Sequence, residues 1–284
     1  MKPSPLILVF LCTTAVFAAQ PRPSSVVIPL QAGNQLLVPV AGSTPGANGT
    51  FFRSDITIVN LASHDETVVL EWLPRVGGTA TTTTITIPKQ SGIRSSDFVA
   101  EYLHQTGLGA IRITGVTSEG VDVVAALYVS SRIWSPQPGT SGTTSQSLPA
   151  VTLGNAFYKG VSARLFGVGS MENVPNYRVN VGIVNMDPIN AHTFDISAAL
   201  NARPFGVNHY VVTLPPRTME QVSLGNDLLP NAEVLIQDTT ATTSPFTSWI
   251  AYASTIDNIT GDAWSELAVP FAPGTIGTGM SAQE

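Results

Sequence analysis

The sequence predicts an all-β protein made of two duplicated β-sandwich domains in tandem, immunoglobulin-like or jelly-roll-like, each with one short helical turn. Three observations predict it. Charged residues make up 11% of the chain, against roughly 25% in an average soluble protein, and Thr, Ser, Gly, Pro and Val, the β-branched and turn-forming types, fill the difference. Apolar runs of strand length alternate with turn residues. The chain also repeats itself: "FFRSDITIVN" at 51–60 returns as "NYRVNVGIVN" at 176–185, an offset of 125 positions. A hydrophobic fraction of 43% is inconsistent with disorder, which needs low hydrophobicity and high net charge.

The first element is a secretion signal over residues 1–18. Lys2 supplies the positive end, "LILVFLCTTAVF" the apolar run, and Val16-Phe17-Ala18 offers small residues at both recognition positions before a cut. The run is too short for a membrane span, which takes about 20 residues. Cleavage after Ala18 removes Cys12, the one cysteine, so the mature chain is expected to carry no thiol or disulfide. Leu11 is large where a lipoprotein box needs a small residue, which leaves Cys12 a minor alternative anchor. Losing Lys2 moves the net charge from −6 to −7. No later run has membrane length, and an acidic chain of pI about 5.1 offers no electrostatic footprint for nucleic acid.

The repeat extends along the chain. "TITIP" (84–88) returns as "VVTLP" (211–215), "AIRI" (110–113) as "EVLI" (233–236), and "ALYVSS" (126–131) as "IAYAST" (250–255). The offsets drift between 123 and 127, as loop insertions between fixed elements would cause. A period of this size is a whole domain, not a solenoid unit. Pro29, Pro149 and Pro270 punctuate the chain at spacings of 120 and 121, which places domain one at 26–150, domain two at 151–273 and a flexible tail at 274–284. Within domain one the spacing predicts strands over 68–74, 81–88, 110–116 and 123–131. A short helix is expected over Asp97–His104, capped by Ser95 or Ser96 and ended by Gly107; "VSLGNDLLP" (222–230) is its expected counterpart. "SPQPGTSGTTSQS" (135–147) is the loosest stretch between the domains.

In the repeated strand, side chains alternate between faces. Phe52, Ser54, Ile56 and Ile58 share one face with Tyr177, Val179, Val181 and Ile183 of the second copy, the expected core side. The other face presents Arg53 and Asp55, and Arg178 and Asn180, each pair close enough to share hydrogen bonds as a polar brace to a loop. Trp72 and Trp249 are expected in the core. Trp134 and Trp264 follow the last long strands, and exposed rings there would form a platform for a sugar or a partner protein. "DNITGD" (257–262) gathers oxygen ligands, with Asp257, Asn258 and Asp262 as candidate calcium ligands, although the spacing differs from a twelve-residue calcium loop and the same residues suit a tight turn. Asn48-Gly-Thr50 and Asn258-Ile-Thr260 match the glycosylation acceptor pattern. His64, His104, His192 and His209 lack metal-ligand spacing and read as solvated loop residues. No G-x-S-x-G elbow or phosphate-binding loop occurs.

The order aromatic-Arg-x-[Asp/Asn]-[Ile/Val]-x-Ile-Val-Asn, the Pro-ended strand and "IDNITGDAW" resemble tandem β-sandwich modules of secreted proteins from environmental bacteria, and "SSRIWSPQPGTSGTTSQSLPAV" is similar to their inter-module passage. The resemblance implies an extracellular module and carries over no catalytic or binding residues; domain one departs from it at "SRIWSP". The expected function is a secreted, non-enzymatic structural, adhesion or interaction protein, located at the cell surface, in the periplasm or in the medium, with a protein or glycan partner and no cofactor unless calcium binds. The alternatives are a carbohydrate-binding protein using Trp134 and Trp264, and, third, a hydrolase with an unrecognised site.

Overall fold

The computed structural model describes residues 32–46, 49–137, 139, 141–158, 160–169, 177–199, 207–225, 232–241 and 248–271; the expected signal (1–18), Cys12, Asn48 and the tail (274–284) lie outside them. The regular structure of these residues is almost entirely antiparallel strand. The first half contains β1 (Ala32–Gly33), β2 (Gln35–Pro45), β3 (Phe51–Asn60), β4 (Glu66–Pro74), β5 (Thr81–Ile87), β6 (Gly92–Ser95), the helix α1 (Phe98–Tyr102), β7 (Gly107–Thr117), β8 (Gly120–Val121), β9 (Leu127–Pro136), β10 (Thr143–Ser147) and β11 (Val151–Thr152). The second contains β12 (Phe157–Tyr158), β13 (Ser162–Val168), β14 (Tyr177–Asn185), β15 (His192–Ala199), β16 (Val207–Leu214), β17 (Thr218–Gly225), β18 (Ala232–Asp238), β19 (Ser248–Asp257), β20 (Ala263–Leu267) and β21 (Val269–Phe271).

The eleven strands of the first half form one hydrogen-bonded sheet whose main path runs β1-β9-β3-β2-β7-β4-β5. β2 pairs with β7 along most of its length but with β3 only at Ser43–Pro45, so the path turns a corner there. The strands on either side of the corner then fill one core: Ile56, Ile58, Leu127 and Val129 meet Val68, Leu70, Trp72, Ile111 and Ile113, with Phe98 and Val99 of α1 closing one side. β5 lies at the end of this path and shows the alternation of a half-exposed strand, Thr82, Thr84 and Thr86 outward and Ile85 and Ile87 inward. In the second half two five-stranded sheets, β12-β19-β14-β17 with β20 and β16-β15-β18-β13-β21, face each other across a core containing Val181, Ile183, Phe194, Ile196, Val234, Ile236 and Trp249. Trp72 and Trp249 are both buried, as expected.

A third apolar cluster joins the two halves. Leu37, Leu73 and Ala110 of the first sheet pack against Val184, Met219, Ile250 and Tyr252 of the second half, with Leu148, Val151 and Ala156 of the connection between them. The second face of β14 is therefore buried too, where the alternation alone had placed an outer face. Tyr252 lies across Gly182, and a Cβ there would sit 2.0 Å from the ring. Gln221 donates to the Tyr252 hydroxyl at 2.9 Å, while burial pushes that phenol well above its usual range. Polar contacts border the seam: Arg75 pairs with Glu220 at 2.6 Å, the Val76 amide donates to the Met219 carbonyl at 3.0 Å, and the buried Glu71 carboxylate lies between Arg112 and Arg217.

The repeated strand ends identify their own role. The Asn60 side-chain amide donates to the carbonyls of His64, Ile87 and Pro88, and its oxygen accepts the Ala62 N–H at 2.9 Å. The Asn185 amide donates to the carbonyls of Asn190, Leu214 and Pro215, and its oxygen accepts the Asp187 N–H at 3.0 Å. Both asparagines are fully buried. Each supplies donors to the carbonyls of two loops, as buried backbone groups require; the Pro215 carbonyl also accepts the Thr218 hydroxyl at 2.8 Å.

Four local expectations are corrected. Residues 123–126 precede β9 rather than forming part of it: Asp122 Oδ1 accepts the Val124 N–H at 2.9 Å, and this turn leaves Val123 and Val124 exposed. Residues 222–225 are strand, not helix, because Val222 pairs with Val181 and Leu224 enters the core; 226–230 lie outside the described residues. The connection at 135–147 is no loose linker, since β10 pairs residue by residue with β9 and β11 continues the first sheet to Thr152. The expected helix is shorter, Phe98–Tyr102, and Ser95 holds it by donating to Glu101 at 2.6 Å and accepting the Asp97 N–H.

Two substitutions test this packing. Asn60→Ala or Asn185→Ala leaves several buried carbonyls without a donor and should lower stability by about 2–4 kcal/mol, read as a lower urea midpoint with unchanged slope. Gly182→Ala should cost about 1–3 kcal/mol by overpacking, and combining it with Tyr252→Ala should cost less than the sum of the single changes, because the clash requires the ring.

Candidate functional site

The β19–β20 hairpin turns through "DNITGD". Asp257 Oδ1 accepts the Ile259 N–H and Oδ2 the Thr260 hydroxyl, both at 2.8 Å; Asp262 Oδ1 accepts the Ala263 N–H at 3.0 Å. Gly261 takes a φ of +76°, a conformation that glycine adopts without steric cost. The Ile259 N–H, then the Thr260 hydroxyl, hold the Asp257 carboxyl below its ordinary range. Asn258 accepts a hydrogen bond from Arg178 of β14. The oxygens expected to face a calcium ion are thus engaged in building the turn, and no second carboxylate from another element joins Asp257 and Asp262 in a metal-ligand group among the described residues.

The turn reaches the β9–β10 hairpin of the first half. Gln137 donates to the Thr260 carbonyl at 3.0 Å, Thr144 to that of Gly261, and Gln146 to that of Trp264. Ser254 donates to Gln146 Oε1 at 2.8 Å and Ser265 to the Ser147 carbonyl at 2.6 Å. Between these elements opens a cleft of about 440 Å³. Phe52, Ile133, Ile256 and Ala263 supply its apolar lining, and Thr144, Ser145, Gln146 and Thr260 its neutral polar groups, with Arg178 as its one cation and Asp257 as its one carboxylate among the described lining residues. Among the described residues no histidine, cysteine or lysine lines it. The arrangement can place neutral hydrogen-bonding groups around an apolar surface; it does not contain a second carboxylate or an imidazole for proton transfer.

The arginines and tryptophans occupy other surroundings. Arg53 does not pair with Asp55. Its guanidinium approaches Asp97 at 3.4 Å and lies over the rings of Phe51 and Trp134 at 4.6 and 5.6 Å. Asp55 instead takes a two-bond contact from Arg94 at 3.0 and 2.8 Å and one from Arg132 at 2.9 Å. The reason is register: Asp55 lies opposite Arg132 on β9, and its neighbour Thr57 opposite Arg94 on β6. Arg178 reaches Asn258, while Asn180 lies between Ser223 and Ser254 on the flanking strands. Trp134 is half-buried and donates to the Ser96 carbonyl at 2.9 Å. Trp264 is also half-buried, edge-on to Tyr177 at 5.5 Å. Neither ring lines the cleft, and the two stand on separate elements.

One convergent group was hidden from the spacing of the sequence. His64 Nε2 lies 3.1 Å from Glu66 Oε2 and 3.2 Å from Asp122 Oδ2. Glu66 is 1% exposed and Asp122 is also buried. Burial pushes the Glu66 carboxyl up, with the nearby Asp122 charge adding to it. The Val124 N–H holds Asp122 below its ordinary range. His64 is therefore no merely solvated loop residue. In the second half His192, unlike the half-exposed His64, is buried, between Asp238 and Asp187; burial works upward on Asp187, but the N–H groups of Asn190 and Ile189 hold its carboxyl below the usual range.

Comparison with known proteins adds little. No family model matches the chain, and no curated protein matches it. Among solved structures, squid arrestin aligns over 82% of this chain and 96% of its own, at 10% identity and a TM-score of 0.11; at that score the two folds do not superpose. No helix among the described residues is long and apolar enough to cross a membrane.

The Asp55 contacts make a pH-dependent prediction. The Arg94 hydrogen bond is the largest influence lowering the Asp55 carboxyl, so its stabilising contribution is present above the unfolded value of about 4 and is lost as pH falls through the lower folded value. Asp55→Asn should therefore lower Tm by several degrees at pH 7, and the gap to the unsubstituted protein should narrow in melts carried below about pH 4.

Proposed function

We propose that this chain is a secreted, non-enzymatic interaction protein built from two duplicated β-sandwich domains, with the junction at the Leu153–Asn155 turn, and that it binds a partner through the cleft beside the 257–262 turn. The observation that carries the reading is the cleft itself: neutral amides and hydroxyls from two hairpins surround an apolar lining, and both hairpins are anchored to each other by side-chain-to-carbonyl bonds. Rigid, mostly neutral polar groups over an apolar surface suit recognition of an uncharged polar ligand such as a glycan or a loop of another protein. Duplication is supported by the matched Asn60 and Asn185 contacts, which the repeated segments place at corresponding strand ends. The secretion signal rests on the apolar run before Ala18. The tryptophan platform has no comparable support, since Arg53 covers Trp134 and Tyr177 flanks Trp264.

The test pairs binding with turnover. The purified protein is screened on immobilised glycans and surface proteins, and assayed in parallel against chromogenic esters and glycosides. Ser145→Trp, at an exposed position lining the cleft, should abolish the binding that the screen finds without lowering Tm. Turnover that disappears with Ser145→Trp would overturn the non-enzymatic reading, and binding that survives it would remove the cleft from the account.

A further inference from the structure

We propose that His64, Glu66 and Asp122 form a binding site for a divalent transition-metal ion of the zinc class. The three side chains come from a loop, the start of β4 and the turn after β8, and each is fixed by its backbone. Asn60 donates to the His64 carbonyl at 2.8 Å. Glu66 lies in register with Ile87. The Asp122 N–H donates to the Gly115 carbonyl at 2.9 Å, and Asp122 Oδ1 is occupied by the Val124 N–H, which leaves Oδ2 to face His64. The ligand atoms all lie within 4.8 Å of one another. An ion held tetrahedrally at about 2.0–2.1 Å keeps its ligand atoms roughly 3.3 Å apart, close to the 3.1 and 3.2 Å separations from His64 Nε2 to the two carboxylates.

Two further observations separate this group from an ordinary ion pair. First, both carboxylates converge on the same imidazole nitrogen. One N–H cannot be shared fully by two acceptors, whereas one cation can draw all three groups. The second half shows the alternative: His192 spends Nδ1 on Asp238 at 2.7 Å and Nε2 on Asp187 at 3.2 Å, one carboxylate for each nitrogen. That is a satisfied buried brace. His192 stands opposite Leu214, as Glu66 stands opposite Ile87, so the two halves place different chemistry at corresponding strand starts. Second, Glu66 Oε1 is buried without a hydrogen-bond partner of ordinary geometry; the Val116 N–H is the one backbone donor acting on this carboxylate, and its influence is smaller than those of burial, Asp122 and His64. A buried carboxylate oxygen in that position is costly, and a bound cation would offset the cost. The space for this carboxylate depends on a glycine, because a Cβ on Gly115 would fall 2.6 Å from Oε1. Access is from the His64 side, where that side chain is 43% exposed. An imidazole with two carboxylates suits zinc or manganese better than calcium, which takes six to eight oxygens.

Calorimetric titration of the metal-stripped full chain with zinc chloride tests the site, with manganese and calcium titrated in parallel. One saturable zinc site per chain is expected. His64→Ala and Asp122→Asn should each weaken it at least tenfold, while Asp257→Asn should leave it unchanged. His64 is half-exposed, so its variant should fold, and a melt of the metal-free protein confirms that; Glu66→Gln supplies a second variant that preserves side-chain shape. Absence of saturable zinc uptake, calcium binding in preference to zinc, or unchanged zinc affinity in folded His64→Ala would each overturn the proposal.

Discussion

The apolar seam between the two halves is the constraint on which the rest of the structure depends. Val184, Met219, Ile250 and Tyr252 turn away from their own sandwich-like core and pack against Leu37, Leu73 and Ala110. β14 and β19 are consequently buried on both faces, which explains why their sequences run apolar rather than alternating. The seam also brings the β9–β10 hairpin against the β19–β20 hairpin. Without it the carbonyls of Thr260, Gly261 and Trp264 would lose their donors, and the cleft between the hairpins would have one wall.

Within each half, a buried asparagine at the end of the repeated strand does the same kind of work at smaller scale. A strand that ends inside the protein brings with it loop carbonyls that water cannot reach. Asn60 and Asn185 each supply the donors; the loop held by Asn60 carries His64, and the loop held by Asn185 leads into His192 at the start of β15. The halves then diverge in chemistry. Phe194 pairs with Asp238 in β18 where Val68 pairs with Gly115 in β7, so one half has a carboxylate within its sheet and the other a gap that Glu66 fills. The repeated segments thus share the asparagine contacts at their strand ends and differ in the polar groups beside them.

Much of the architecture was legible in the sequence because strands report themselves through local period and turn residues. The core positions Ile56, Ile58, Val181 and Ile183 followed from alternation, and the buried Trp72 and Trp249 from their place in apolar runs. What escaped depends on contacts remote in sequence. Arg53 and Asp55 are neighbours on one face, yet cross-strand register gives Asp55 to Arg94 and Arg132. Gly182 and Val184 read as an outer face until the first half covers them. Residues 222–225 have turn-forming neighbours, but Leu224 is drawn into the core as strand. His64 and Asp122 are separated by 58 positions, so no motif spacing joins them; the one local signal was His64 two residues before an acidic strand start.

Equilibrium unfolding followed separately in Trp72→Phe and Trp249→Phe proteins tests the shared seam most directly, because each variant reports through the tryptophans that remain, weighted toward the other half. The seam predicts a single transition, with the fluorescence midpoint of each variant coinciding with its own far-UV circular dichroism midpoint. Two separated transitions, one for each half, would contradict it.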